Sequence, residues 1–219
     1  MRDRPKKRVA VLISGGGTNL QSLIDASLAD DYPAEIVLVI SNKADAYGLE
    51  RAKAAGIATA IIDHKAFSSR EAFEDSVHAT LTEARVDIIC LAGFMRRLTA
   101  SFVARWPNRI LNIHPSLLPA FPGLDVHQRA IDAGARFSGC TVHLVNAELD
   151  AGPIILQAAV PIAQDDTAET LAARILTSEH VIYPQALAWI AGGKARLEGG
   201  RLIIDELGSL PQAVIWPSA

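Results

Sequence analysis

"VAVLISGGGTNL", residues 9–20, decides how the rest of the chain is read. A short apolar run rich in β-branched residues ends in a serine, three glycines follow, and Thr18 and Asn19 open a segment with helical patterning. Apolar strand, glycine turn and helix start in succession form the first unit of an α/β sheet. Three consecutive glycines cost more backbone entropy than any alternative, so something is expected to approach the main chain closely there. The spacing is not the G-x-G-x-x-G of a dinucleotide fold, and it does not end in the Gly-Lys-Ser/Thr of a nucleotide P-loop. Two readings stay open at this point. Gly16 and Gly17 offer unhindered N–H groups at a helix N-terminus, with Thr18 and Asn19 as further donors, which suits one phosphate. The same residues also suit a tight βα turn with a Thr or Asn cap.

Outward from this unit, apolar runs at 8–13, 35–40, 58–62, 87–92, 110–114, 137–145 and 154–161 predict strands. Between and after them, 19–28, 47–55, 69–84, 99–106, 125–133 and a long segment at 167–190 predict helices. The alternation predicts an α/β fold: an open, mostly parallel seven-stranded sheet with helices on both faces. About eight residues separate the sixth and seventh strands, too few for a crossover, so the last strand is expected to run antiparallel to the sixth. The fifth and sixth are joined through a helix and are expected to be parallel. "ARLEGGRLII" predicts a small C-terminal Gly-Gly hairpin followed by an extended tail. With no internal repeat and no low-complexity linker, the expectation is one domain over 1–219, with a core at about 8–190 and an appendage at about 191–219.

Half of the 219 residues are apolar, enough to bury a full core. The net charge of −3 and the absence of a basic stripe argue against a nucleic-acid partner. The basic cluster from Arg2 to Arg8 reads as a solvated N-terminal tail, since Val9 to Ile13 is too short for the apolar region of a secretory signal. No run approaches the roughly 18 apolar residues of a membrane span. The two cysteines, Cys90 and Cys140, sit in apolar runs and read as buried free thiols, which points to the cytoplasm. His64, His78 and His127 are scattered without metal-ligand spacing, so no metal is expected.

In open α/β sheets ligands bind beyond the carboxyl ends of the strands. One such end is "ILNIHPSLLPAFPG", residues 110–123. Asn112 and His114 are two apart in a strand and leave the same face. An amide that can donate to an oxyanion, beside an imidazole that can carry a proton, forms an acyl-transfer pair. The alternative is a polar strand terminus whose His caps a carbonyl. Asp150, in "NAELDAGPIILQ", either starts the turn at Ala151-Gly152-Pro153 or holds His114 in one orientation. Thr141 and His143, again two apart, are expected to point into the same region as supporting groups.

Taken together, "SGGGTNLQSLI", "AGFMRRL", "NIHPSLLPAFPG", "TVHLVNAELDAGPIILQ" and "EHVIYP" resemble the phosphoribosylglycinamide formyltransferase family over about residues 8–190. "NIHPSLLP" alone is shared across the formyltransferases that use formyltetrahydrofolate. The resemblance implies transfer of a formyl group from 10-formyltetrahydrofolate, as cosubstrate, to the amine of glycinamide ribonucleotide in purine biosynthesis, with no metal. It implies a catalytic trio of Asn112, His114 and Asp150, and a ribonucleotide site at Gly16, Gly17, Thr18, Asn19 and Glu179. It places the folate along Phe94, Met95, Arg96, Arg97, Leu98 and Val103, against Asn146, Ala147, Glu148 and Leu149. Arg97 stands where the family often carries an apolar residue. The implied partners are these two small molecules, neither nucleic acid nor membrane, with monomer and homodimer both open. A methionyl-tRNA formyltransferase would share "NIHPSLLP" but carry a C-terminal nucleic-acid-binding domain, and a formyltetrahydrofolate deformylase would carry an N-terminal regulatory domain. A non-catalytic folate- or nucleotide-binding protein is disfavoured by the intact trio.

Overall fold

The computed structural model describes residues 5–205, 208 and 216–217. Strands β1 (Lys7–Ile13), β2 (Ala34–Ser41), β3 (Ala58–Ile61), β4 (Ile88–Leu91), β5 (Ile110–His114), β6 (Phe137–Leu144) and β7 (Ile154–Pro161) form one sheet in the order β3-β2-β1-β4-β5-β6-β7. The helices are α1 (Thr18–Ser27), α2 (Gly48–Ala54), α3 (Arg70–Glu83), α4 (Ala100–Arg105), α5 (Val126–Asp132) and α6 (Ala168–Gly192). Strands β8 (Ala195–Glu198) and β9 (Arg201–Ile204) form the expected hairpin. Of the tail beyond it, all but residues 208, 216 and 217 lie outside the described residues.

The two-residue period of β1 builds both layers. Val9, Val11 and Ile13 face one way and pack with Leu20 and Leu23 of α1 and Leu171, Ile175 and Tyr183 of α6. Ala10 and Leu12 face the other way, against Phe73, Val77 and Leu81 of α3 and Phe102 of α4. All five strand residues are fully buried. Each large side chain of this kind contributes about 1.5–3 kcal/mol of burial. Helix starts are capped as their sequences suggest: Ser69, Thr99 and Thr167 each accept a hydrogen bond from the backbone N–H three residues on.

Strands β1 to β5 are mutually parallel. The order turns outward in both directions from β1 and β4, so the crevice of this sheet lies where the loops after β1 and β4 diverge. The last strand is antiparallel to β6, as expected, but β5 and β6 are also antiparallel, with His114 opposite Thr141 and Leu111 opposite Leu144. The expectation of a parallel β5–β6 pair is therefore corrected. Helix α5 is only seven residues long, about 10 Å, and the connection returns the chain to the edge it left without crossing the sheet. The loop after β6 consequently starts at the opposite edge from His114. Asp150 reaches the histidine because that loop folds back over the sheet face.

The expected N-terminal tail is also shorter than its charge suggested. Arg8 lies within β1 and its guanidinium donates to the Ala84 carbonyl and to Glu35, and Lys6 donates to the Ala29 carbonyl. Arg2 and Arg4 lie outside the described residues. Cys90 and Cys140 are buried free thiols, and burial pushes both up to about 12. Among the described residues no helix is long and apolar enough to cross a membrane.

Candidate active site

Asn112 and His114 leave the same face of β5, and the pleat of antiparallel β6 sets His143 beside Asn112 and Thr141 beside His114. His114 is 6% exposed. Its Nε2 lies 3.1 Å from the Phe121 carbonyl, so that nitrogen must donate. Its Nδ1 lies 3.6 Å from Asp150 Oδ2. Only the doubly protonated ring presents a donor to both neighbours. Asp150 in turn accepts the Gly123 N–H at 2.9 Å. Its backbone is left-handed, φ 51, a conformation Asp tolerates better than most residues, so its turn-starting and His-facing roles coexist.

His143 orients the amide. Its Nδ1 donates to the Leu144 carbonyl at 3.0 Å, leaving Nε2 to accept from Asn112 Nδ2 at 3.2 Å. Burial lowers the His143 pKa, outweighing the opposing pull of its backbone hydrogen bond and of Asp150, so the ring stays an acceptor at neutral pH. One Asn112 N–H is thereby held, and the other makes no protein hydrogen bond among the described residues. Thr141 serves the adjoining loop. Its hydroxyl donates to the Ser116 carbonyl at 2.7 Å and accepts from the Leu118 N–H and Gln157 Nε2. Ser116 ties its own hydroxyl to the Ala120 and Phe121 carbonyls, so residues 115–123 are pinned from both ends. Behind the loop that carries Asp150, Gly152 has no room for a β-carbon, which would fall 1.7 Å from the Leu144 carbonyl oxygen.

The glycine loop is open on one side and braced on the other. A β-carbon at Gly15 or Gly16 would meet nothing within 4 Å, whereas one at Gly17, φ 69, would fall 2.7 Å from the Gly48 Cα. Gly48 N–H donates to the Gly15 carbonyl and Arg51 Nε donates to the Gly16 carbonyl at 2.9 Å. Neither Thr18 nor Asn19 caps α1, whose N-cap is Gly17 with no side-chain bond. Asn19 instead gives its Nδ2 to Glu179 Oε2 of α6 at 2.7 Å, and its buried Oδ1 has no partner. Glu179 is 7% exposed. Burial raises its pKa against the lowering effects of the Asn19 amide and His114. Along the flank of α1 runs a cleft of about 500 Å3 lined by Thr18, Gln21, Ser22, Asp25, Arg51 and His180. Open space beside Gly15 and Gly16 and the Arg51 guanidinium, bound to the Gly16 carbonyl, meet at the start of α1.

Residues 7–187 match the formyl transferase family. The chain is 50% identical over 199 residues to phosphoribosylglycinamide formyltransferase of Haemophilus influenzae, covering 91% of this chain and 94% of that one. The chain belongs to the phosphoribosylglycinamide formyltransferase family. It is also 52% identical over 201 residues to the trifunctional purine biosynthetic protein adenosine-3 of Bos taurus, spanning 91% of this chain and about a fifth, 20%, of that longer protein. The crystal structure of glycinamide ribonucleotide transformylase 1 from Symbiobacterium toebii superposes with a TM-score of 0.88 at 50% identity, covering 91% of this chain and 94% of that one.

The strip that family resemblance assigns to the folate follows β4. Met95 is exposed, Phe94 and Arg96 are half-buried, and Arg97 is exposed. Leu98 and Val103 belong to the core packed on α3 and α4, with Phe94 and Val145 against them, and so form an apolar floor. Asn146 is half-buried, and Ala147, Glu148 and Leu149 are exposed on the loop that leads to Asp150. Among the described residues no cluster of three or more His, Cys, Asp or Glu could hold a metal ion.

Several residues that brace this region of the chain escape a reading of the sequence. Gly48 and Arg51 brace the glycine loop, and the buried Tyr183 hydroxyl shares its proton between the carbonyls of Leu91 and Leu111, tying α6 to the last residue of β4 and to the interior of β5. A β-carbon at Gly48 would fall 2.5 Å from Ile13 Cδ1, a tertiary contact that no local pattern encodes.

Proposed function

We infer that the chain transfers a formyl group from 10-formyltetrahydrofolate to the primary amine of glycinamide ribonucleotide, a step of purine biosynthesis, with 1–219 acting as one formyltransferase domain. The observation that carries this reading is the convergence of Asn112, His114 and Asp150 on one sheet face, in a chain half identical to a phosphoribosylglycinamide formyltransferase along nearly its whole length.

The ribonucleotide phosphate sits on Gly16, Gly17, Thr18 and Asn19, and the ribose hydroxyls meet Glu179 and the free Asn19 Oδ1. Binding at that remote end fixes the amine for attack. The folate lies along residues 94–98, over the Leu98 and Val103 floor, and against 146–149. As the neutral amine attacks the formyl carbon, the free Asn112 N–H and the His114 imidazolium stabilise the developing oxyanion. Asp150 supplies the counter-charge to that imidazolium and assists the proton to the departing folate nitrogen. His143 holds the Asn112 amide, and Thr141 holds the loop that carries Phe121.

The experiment mixes the protein with 10-formyltetrahydrofolate and glycinamide ribonucleotide and follows folate deformylation with each component omitted. Deformylation that requires the ribonucleotide, with formyl recovered on its amine, supports the transfer. Deformylation at full rate without the ribonucleotide would assign a hydrolase instead.

A further inference from the structure

Ser14 follows directly on β1 and begins the glycine loop, at the point where the sheet order diverges between β1 and β4. It is 5% exposed. Its hydroxyl donates to Asn42 Oδ1 at 2.6 Å, beyond the end of β2, and accepts the Met95 N–H at 2.9 Å, beyond the end of β4. Asn42 is buried as well, and its Nδ2 lies 3.2 Å from His64 Nδ1. With Nδ2 donating, His64 Nδ1 is the acceptor in this arrangement. One hydroxyl therefore joins the ends of three adjacent strands. Among the described residues, no other side-chain hydrogen bond joins Ser14 to the 94–98 strip.

The same loop is fixed on its far side by Gly48 and Arg51, while Gly15 and Gly16 face open space. A ligand pressing on those two glycines loads the backbone directly against Ser14. A ligand lying on Met95 loads the other end of the same hydrogen bond.

We propose that Ser14 is a positioning residue that couples the two substrate sites, so that an anion held on the glycine loop and a folate held on 94–98 each raise the other's affinity. The inference rests on the assignment of those two sites made under Proposed function. Each ligand restricts its own loop, and because Ser14 is common to both, the second ligand meets a loop already ordered in part by the first. The coupling is reciprocal by linkage, with one factor serving both directions. Removing the hydroxyl orphans the Met95 N–H and the buried Asn42 oxygen, and the two loops then order separately.

Calorimetry on the full chain tests this with glycinamide ribonucleotide and a folate analogue whose formyl group is replaced by a non-transferable one. In the parent protein each ligand is expected to tighten the other by an equal factor of about five or more, and in Ser14→Ala by less than about two, with the ribonucleotide alone still binding. Ser14→Cys, close in shape but a weak acceptor, carries the same expectation if the alanine variant fails to fold. On the parent protein alone, the Met95 amide resonance is expected to move when ribonucleotide is added without folate. A coupling factor of one in the parent, a factor undiminished in the variants, or a Met95 amide blind to the ribonucleotide would each overturn the coupling while leaving both sites in place. A parent protein that binds neither ligand would instead overturn the assignment of the sites.

Discussion

His114 and Asp150 meet with Nδ1 and Oδ2 3.6 Å apart although they come from opposite edges of the sheet. The contact exists because β6 is reversed and the loop after it folds back, bringing a carboxylate onto the face that Asn112, His114 and His143 share. The histidine's other nitrogen is already committed to the Phe121 carbonyl. Both ring nitrogens thus face oxygen atoms, the Phe121 carbonyl on one side and the Asp150 carboxylate on the other.

Gly17→Ala tests the phosphate loop. The β-carbon would be forced into a left-handed backbone and to 2.7 Å from the Gly48 Cα, which is expected to destabilise the chain by more than about 1 kcal/mol. Ribonucleotide affinity should fall well beyond folate affinity, and separate titrations of the two ligands check this. Equal losses would move the anion elsewhere.

His143→Leu tests the orientation of Asn112. Without an acceptor at 3.2 Å the amide is free to turn, and the loss should approach the about 10²–10³-fold in turnover typical of a missing oxyanion donor. KM values for both substrates should change little. Steady-state kinetics at saturating substrate decide it, and a variant with normal turnover would return His143 to a packing role.

Glu179 gives a pH dependence with a definite sign. Burial raises its folded-state pKa above the ordinary 4.5, so between those values the folded chain binds more protons than the unfolded one. Stability on this account is greatest below pH 4.5 and declines as pH rises through the folded value. Glu179→Gln removes the titration while keeping an oxygen for Asn19. The variant should therefore gain on the parent as pH rises, read as the difference between their denaturation midpoints at several pH values. A constant difference would contradict it.

Much of this architecture was legible in the sequence because local rules and tertiary structure agree. The β5 and β7 boundaries, residues 110–114 and 154–161, match their apolar runs residue for residue. The direction of β6 was not legible, because a connection containing a helix reads as a crossover whether or not it crosses. Its reversal changes the route by which Asp150 reaches His114. Asn112 and His114 could be paired from two-residue spacing alone. The brace of Gly48 and Arg51, and the hydroxyl of Ser14, act across 28 to 81 residues of separation, and no periodicity or local propensity encodes such contacts.

Arg97 is exposed beside the folate strip. If it meets the folate's glutamate tail in solvent, Arg97→Ala should weaken a polyglutamylated folate by about five-fold or less, the range of a screened surface ion pair. A tail-less analogue should be unaffected. Comparison of the two dissociation constants decides it, and equal changes would leave Arg97 as a solvated charge.

The central claim is that the Asp150 charge acts on His114 in the reaction itself. Asn is close to Asp in size, tolerates the same left-handed backbone, and can still accept the Gly123 N–H, so Asp150→Asn removes the charge with little else. The decisive measurement is single-turnover formyl transfer by this variant, with both substrate dissociation constants determined alongside. The account predicts a rate lower by about 10²–10⁴-fold with both affinities nearly unchanged. A rate close to that of the parent would contradict it, leaving Asp150 as a turn residue and the chemistry to Asn112 and His114.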